Sequence, residues 1–157
     1  MSKQLIEEYL SAHTFFSGLD HSYRRFLSDS TTELRIKKGD PLFKQGDPAD
    51  KFYILRSGQV SVYVPAVMGP MLETQTLGED QILGWSWLIP PYRWHFQARA
   101  VEDSDLLEFD GSAILARCEE DPKFGYELFK CFAGLMSDRL GAARQKMMDQ
   151  WNPPGFA

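Results

Sequence analysis

Apolar positions in the first thirty residues recur at helical spacing: Leu5, Ile6, Tyr9 and Leu10, then Leu19, Tyr23, Phe26 and Leu27 after Asp20, a residue type that caps helix N-termini. Two short helices are predicted, joined by Phe15-Phe16-Ser17-Gly18, a turn that carries aromatic rings into the core. From Thr31 the period falls to two, with Leu34 and Ile36 alternating with Glu33, Arg35 and Lys37. Strand and turn signals then alternate at short intervals: Leu42-Phe43, Gly46-Asp47-Pro48, Phe52 to Leu55, Ser57-Gly58, Val60 with Val62 and Val64, Met68-Gly69-Pro70, Leu72 to Leu77, and Ile82-Leu83. The alternation returns with Phe96, Ala98 and Ala100 and with Leu106-Leu107-Glu108-Phe109. Short strands divided by glycine turns predict a small sandwich or barrel rather than a parallel α/β sheet.

Asp110 opens a helix carrying Ile114 and Leu115, and a longer helix is predicted over 122–151, with Pro122 in its first turn. Phe124, Leu128, Phe132, Leu135, Leu140, Ala143 and Met147 lie on or near one face of it. At a rise of 1.5 Å per residue it would be roughly 45 Å long, more than so small a β unit can cover. A homodimer is therefore expected through this helix, with Phe132, Leu135, Met136, Leu140 and Ala143 in the contact; Gly134 and Gly141, seven apart, permit close approach. The chain divides into a helical lead-in over 1–30, a β unit over 31–110 and C-terminal helices over 111–151, all within one domain.

The most unusual stretch is Gly84-Trp85-Ser86-Trp87-Leu88-Ile89-Pro90-Pro91-Tyr92-Arg93-Trp94-His95. Adjacent prolines fix two φ angles and remove two amide donors, so this segment is a stiffened loop rather than a regular strand or helix. Its large rings are costly to leave in water. They either pack into the body of the protein or line a site for an apolar or planar partner.

With 157 residues, 43% hydrophobic and 25% charged, the chain has the size and composition of one globular domain. It contains no apolar run of membrane-spanning length, and its acidic N-terminal residues do not form a signal peptide, which predicts a cytoplasmic protein without membrane contact. The net charge of −5 opposes direct nucleic-acid binding. Cys118 and Cys131 are read as reduced structural thiols. His13, His21 and His95 show no metal-ligand spacing, so no metal and no cofactor is expected.

Lys38-Gly39-Asp40, Gln45-Gly46-Asp47-Pro48-Ala49-Asp50, Phe52-Tyr53-Ile54-Leu55 and Ser57-Gly58-Gln59-Val60-Ser61-Val62-Tyr63 together resemble the first half of a cyclic nucleotide-binding domain, as in the catabolite activator protein, the FNR-like sensors and the protein kinase A regulatory subunit. The resemblance implies a mainly β fold: a double-stranded β-helix, or jelly-roll, barrel flanked by N-terminal helices and a long C-terminal helix. It also implies a ligand site in a phosphate-binding cassette that begins Phe-Gly-Glu and ends with an arginine. Here the matching start is Leu83-Gly84-Trp85, so Trp85 stands where the family's glutamate binds the ribose hydroxyl. Counting back from Ala100-Val101-Glu102-Asp103 places Trp94 at the family's phosphate-binding arginine, with Arg93 one place earlier. An indole donates but cannot accept as a carboxylate does. Arg99, beside inward Ala98 and Ala100, points outward.

The expected function is that of a stand-alone sensor or regulatory module with a degenerate cassette, non-enzymatic, not binding cyclic AMP in the usual way and acting as a dimer or on a regulated protein partner. No helix-turn-helix segment follows the long helix, unlike in the family's transcription factors. The expected ligand contacts are Gly84, Trp85, Ser86, Trp87, Tyr92, Arg93 and Trp94, with Arg93 meeting a planar or anionic ligand. The alternatives are an interaction or structural protein whose rings fill the old pocket, and a small cupin-like enzyme.

Overall fold

Two short amphipathic helices open the chain, α1 over Lys3–Ala12 and α2 over His21–Asp29, as the apolar spacing predicts. The computed structural model describes residues 1–64 and 72–151, so the predicted Met68-Gly69-Pro70 turn lies outside the described residues. Ser2 caps α1 by accepting from the Leu5 N–H. Asp20 occupies the cap position of α2 but makes no such bond; its carboxylate lies 3.9 Å from Lys123 Nζ instead. Between the helices Phe16 is fully buried and Phe15 packs against the same core, as expected of that turn.

Among the described residues eight strands follow in chain order: β1 Thr31–Ile36, β2 Pro41–Phe43, β3 Lys51–Ser57, β4 Val60–Val64, β5 Leu72–Leu77, β6 Ile82–Leu83, β7 Gln97–Ala100 and β8 Ser104–Asp110. A short 3-10 helix, Ser86–Leu88, lies between β6 and β7, and α3 Gly111–Glu120 and α4 Pro122–Gln150 close the described chain. The strands form two antiparallel four-stranded sheets, ordered β1-β8-β3-β6 and β2-β7-β4-β5. The expected barrel is therefore a pair of sheets packed as a β-roll, not a single closed sheet. The chain is β-rich only in its middle, because α4 alone takes 29 residues.

The centre of the first sheet, β3 and β8, is apolar on both faces, which explains the run of buried residues Phe52, Tyr53, Ile54 and Leu55 in β3. Phe52 and Ile54 pack with Leu107 and Phe109 toward the helices. Tyr53, Leu55 and Leu106 pack toward the second sheet, meeting Phe43, Val60, Val62, Leu77, Ala98 and Ala100. The β3–β4 turn holds Gly58 at φ +93°, and a Cβ there would fall 2.2 Å from Ser104 Oγ. Both the backbone angle and the close approach require glycine.

Asp110 caps α3 by accepting from the Ala113 N–H at 3.1 Å, and Asp121 caps α4 through the Phe124 N–H at 3.2 Å. Phe124, Leu128 and Phe132 bury one stripe of α4, whereas every residue from Leu140 to Gln150 is exposed. Phe132, expected in a dimer contact, is instead enclosed within the chain by Phe15, Phe52 and Trp87.

Replacing Phe132 by alanine is expected to lower the unfolding free energy by about 3–5 kcal/mol, measured by urea denaturation, because a fully buried ring leaves a cavity among rigid neighbours. Alkaline behaviour supplies a second check. Burial pushes the Cys118 thiol up to about 11 from its ordinary value near 9, with the negative charges of Asp121 and Glu119 adding to the effect. The unfolded chain then releases this proton first. The contribution to stability is intact below the unfolded value and is lost as pH rises through the folded one. Denaturation curves between about pH 7 and about pH 11 should show a smaller alkaline loss in Cys118→Ala than in the unmodified protein.

Candidate functional site

The loop between β6 and β7 is held by a short antiparallel ladder to the chain before β3. Ala49 N–H donates to the Tyr92 carbonyl at 2.8 Å, Trp94 N–H to the Asp47 carbonyl at 3.0 Å, and Gly46 N–H to the Trp94 carbonyl at 2.8 Å. Pro90–Pro91 is cis, and Tyr92 sits at φ +56°. The ladder turns Trp94 inward, where it stacks on Phe43 with ring centroids 3.7 Å apart and planes 6° from parallel. Its edge abuts Gly84, at φ +103°, where a Cβ would come within 2.7 Å of the ring.

Trp87 is buried on the other side of the first sheet, stacked on Phe52 at 5.0 Å and meeting the edge of Phe132 at 5.3 Å. Two indoles from one loop thus enter two different cores. Arg93 remains exposed between them, with Nη1 donating to the Gly46 carbonyl at 2.8 Å.

A cavity of about 390 Å³ lies where the loop, the sheets and α4 meet. Val62, Leu83, Gly84, Trp85 and Phe96 form its wall on the β-roll, and Met136, Arg139, Leu140, Ala143 and Lys146 form the wall on α4. Trp85 is half-buried and meets Phe96 in a tilted edge contact at 5.9 Å. Arg139 anchors the α4 wall to the roll. It donates through Nη2 to the Ile82 carbonyl at 2.5 Å and through Nη1 to Gln75 Oε1 at 3.4 Å. Burial pulls its guanidinium below the ordinary arginine range, with neighbouring Asp138 opposing the effect. No carboxylate among the described residues lies within 4.0 Å of it.

Of the residues expected to contact ligand, Gly84 and Trp85 line this cavity. Trp87 and Tyr92 border a separate hollow beside α3, with Ser112 and Leu115. Ser86 and Trp94 are buried, and Arg93 lies on the surface. Arg139 was not among the expected contacts. Its signal was its spacing, seven residues after Phe132 and three after Met136, which sets a cation within the side of α4 that faces the roll. Among the described residues no three His, Cys, Asp or Glu side chains gather as a metal site requires, and no helix is long and apolar enough to cross a membrane.

Comparison with known proteins agrees with this architecture. The regulatory subunit of cAMP-dependent protein kinase from Dictyostelium discoideum is 32% identical over 84 residues, which is 50% of this chain and 26% of that subunit. The chain therefore spans about a quarter of that relative's length. Among solved structures, a cyclic nucleotide-binding domain from Methylobacillus flagellatus KT has a TM-score of 0.79 at 16% identity, covering 98% of this chain and 86% of that one. The sensor domain of the transcriptional regulator DNR from Pseudomonas aeruginosa has a TM-score of 0.71 at 23% identity, covering 88% and 93%. The model of the cyclic nucleotide-binding domain family matches residues 33–121, from β1 to the cap of α4. With the glycine turns, the two-sheet roll and the closing helices all in the family's order, this chain belongs to the cyclic nucleotide-binding domain family.

Proposed function

We propose that this chain is a ligand-sensing regulatory module whose site is the cavity between Trp85 and α4, and that cyclic nucleotides bind it weakly. The observation that carries this reading is the placement of Trp94: its ring fills the end of the cassette where the family holds a phosphate with an arginine, while the cavity beside Trp85 stays open. The open cavity supports sensing over the reading in which the rings only fill an old pocket. Losing a charge-assisted bond to a ligand hydroxyl and the cation opposite a cyclic phosphate removes about 1.5–3 kcal/mol each. Two such losses move micromolar binding toward millimolar. Calorimetric titration with cyclic AMP and cyclic GMP is expected to give dissociation constants weaker than about 10 μM, or about −7 kcal/mol. Tighter binding of either nucleotide would sink this assignment.

The module acts as a homodimer through α4 in this proposal. Tyr126, Phe129, Ala133, Met136, Leu140, Ala143 and Met147 follow one another at alternating steps of three and four residues, the period of a coiled-coil seam. Tyr126, Leu140 and Met147 are more than half exposed, at 63%, 57% and 68%. A second copy of the same stripe is self-complementary about a two-fold axis. Sedimentation equilibrium should show a dimer that becomes monomeric in a Leu140→Asp, Met147→Asp variant. A monomer at tens of micromolar in the unmodified protein would remove the dimer from the proposal.

A further inference from the structure

We infer that the ligand read by this cavity is a planar aromatic carboxylate whose anionic group is met by Arg139 of α4. The inference rests on the proposed sensing site and names the chemistry of its ligand. Three observations lead to it.

The cassette supplies no cation to the cavity, because Trp94 closes its far end against Gly84 and Phe43 while Arg93 is exposed and turned to the Gly46 carbonyl. The guanidinium of Arg139 does reach the cavity wall. It is half-buried, and its two acceptors, the Ile82 carbonyl and the Gln75 amide oxygen, are both neutral. A half-buried cation that makes no ion pair is stabilised in its charged form by a partner of opposite charge. Two acceptors also leave donors of the five-donor guanidinium fork available to a carboxylate.

The remaining wall is largely apolar, with Trp85 and Phe96 on one side and Leu140 and Ala143 on the other. Aromatic faces and aliphatic side chains of this kind accept a flat apolar body. The volume of about 390 Å³ is at the small end of the range for small-molecule sites, about 300–1,000 Å³.

The test uses cinnamate and its uncharged counterpart cinnamyl alcohol with the full chain, following the indole N–H resonance of Trp85 by NMR. Cinnamate is expected to shift that resonance and to bind at least about tenfold more tightly than the alcohol, a difference of ~1.4 kcal/mol. Arg139→Gln should abolish the preference for the acid while leaving binding of the alcohol unchanged, Arg139→Lys should retain part of it, and Arg99→Gln, on the outer face of β7, should retain all of it. If both probes shift Trp85 with equal affinity, or if Arg93→Gln rather than Arg139→Gln removes the preference, the cavity remains the site and the anion assignment falls. If neither probe shifts Trp85 at millimolar concentration, the cavity reading falls with it. Should Arg139→Gln fail to fold, Arg139→Lys and Lys146→Gln decide: the preference for the acid should weaken in the first and persist in the second, and the opposite pattern overturns the assignment to Arg139.

Discussion

Phe52 joins the parts of this fold that come from distant points in the chain. Its ring, fully buried in β3, stacks on Phe109 of β8 at 4.3 Å and on Trp87 of the cassette helix at 5.0 Å, and receives the edge of Phe132 of α4 at 5.2 Å. Pairs of this geometry contribute about 0.5–1.5 kcal/mol each beyond the area they bury. The larger effect is positional. Trp85 lies two residues before Trp87, and Arg139 lies seven residues after Phe132, close to two helical turns on. Both walls of the cavity are therefore set by the same aromatic cluster, and the spacing between them follows from how α4 packs on Phe52.

The same loop shows how side chains within one cassette are sent to different sides of a fixed scaffold. Gly84 keeps the positive φ with which the loop leaves β6, and its missing Cβ also makes room for the edge of Trp94. The ladder from residues 46–49 to 92–94 then directs alternate side chains to opposite sides, so Trp94 enters the core while Arg93 faces water. A shift of one residue in that ladder would exchange the two. The guanidinium that reaches the cavity wall is that of Arg139, on an element that the family model does not cover.

The division of α4 has a related cause. Its first half is anchored by Phe124, Leu128 and Phe132, which face the body of the protein, and Arg139 continues that side by bonding the Ile82 carbonyl. Beyond Leu140 the described chain offers no surface that buries its side chains, so apolar residues at positions 140 and 147 remain exposed. Ligand cavity and outward stripe share Met136, Leu140 and Ala143. In the proposed function, occupancy of one and association through the other would act on the same short segment of helix.

Much of this architecture was legible in the order of residues. The helical spacing of Ile6 and Leu10, the two-residue period from Thr31, the glycine turns and Pro122 at the start of a long helix are local signals, and local geometry is what φ restriction and side-chain period govern. The aromatic loop was equally plain as a stiff segment, because proline and indole declare themselves wherever they stand. The sequence did not determine which way each ring would turn. Trp85, Trp87 and Trp94 are chemically alike, yet one borders a cavity and two enter separate cores, according to a ladder with residues far away in the chain. Arg139 was likewise one charged residue on a helix until packing against β6 buried it. Burial, cavity and buried charge arise between elements that meet only on folding, so the tertiary structure alone decided which of these side chains border a cavity and which enter a core.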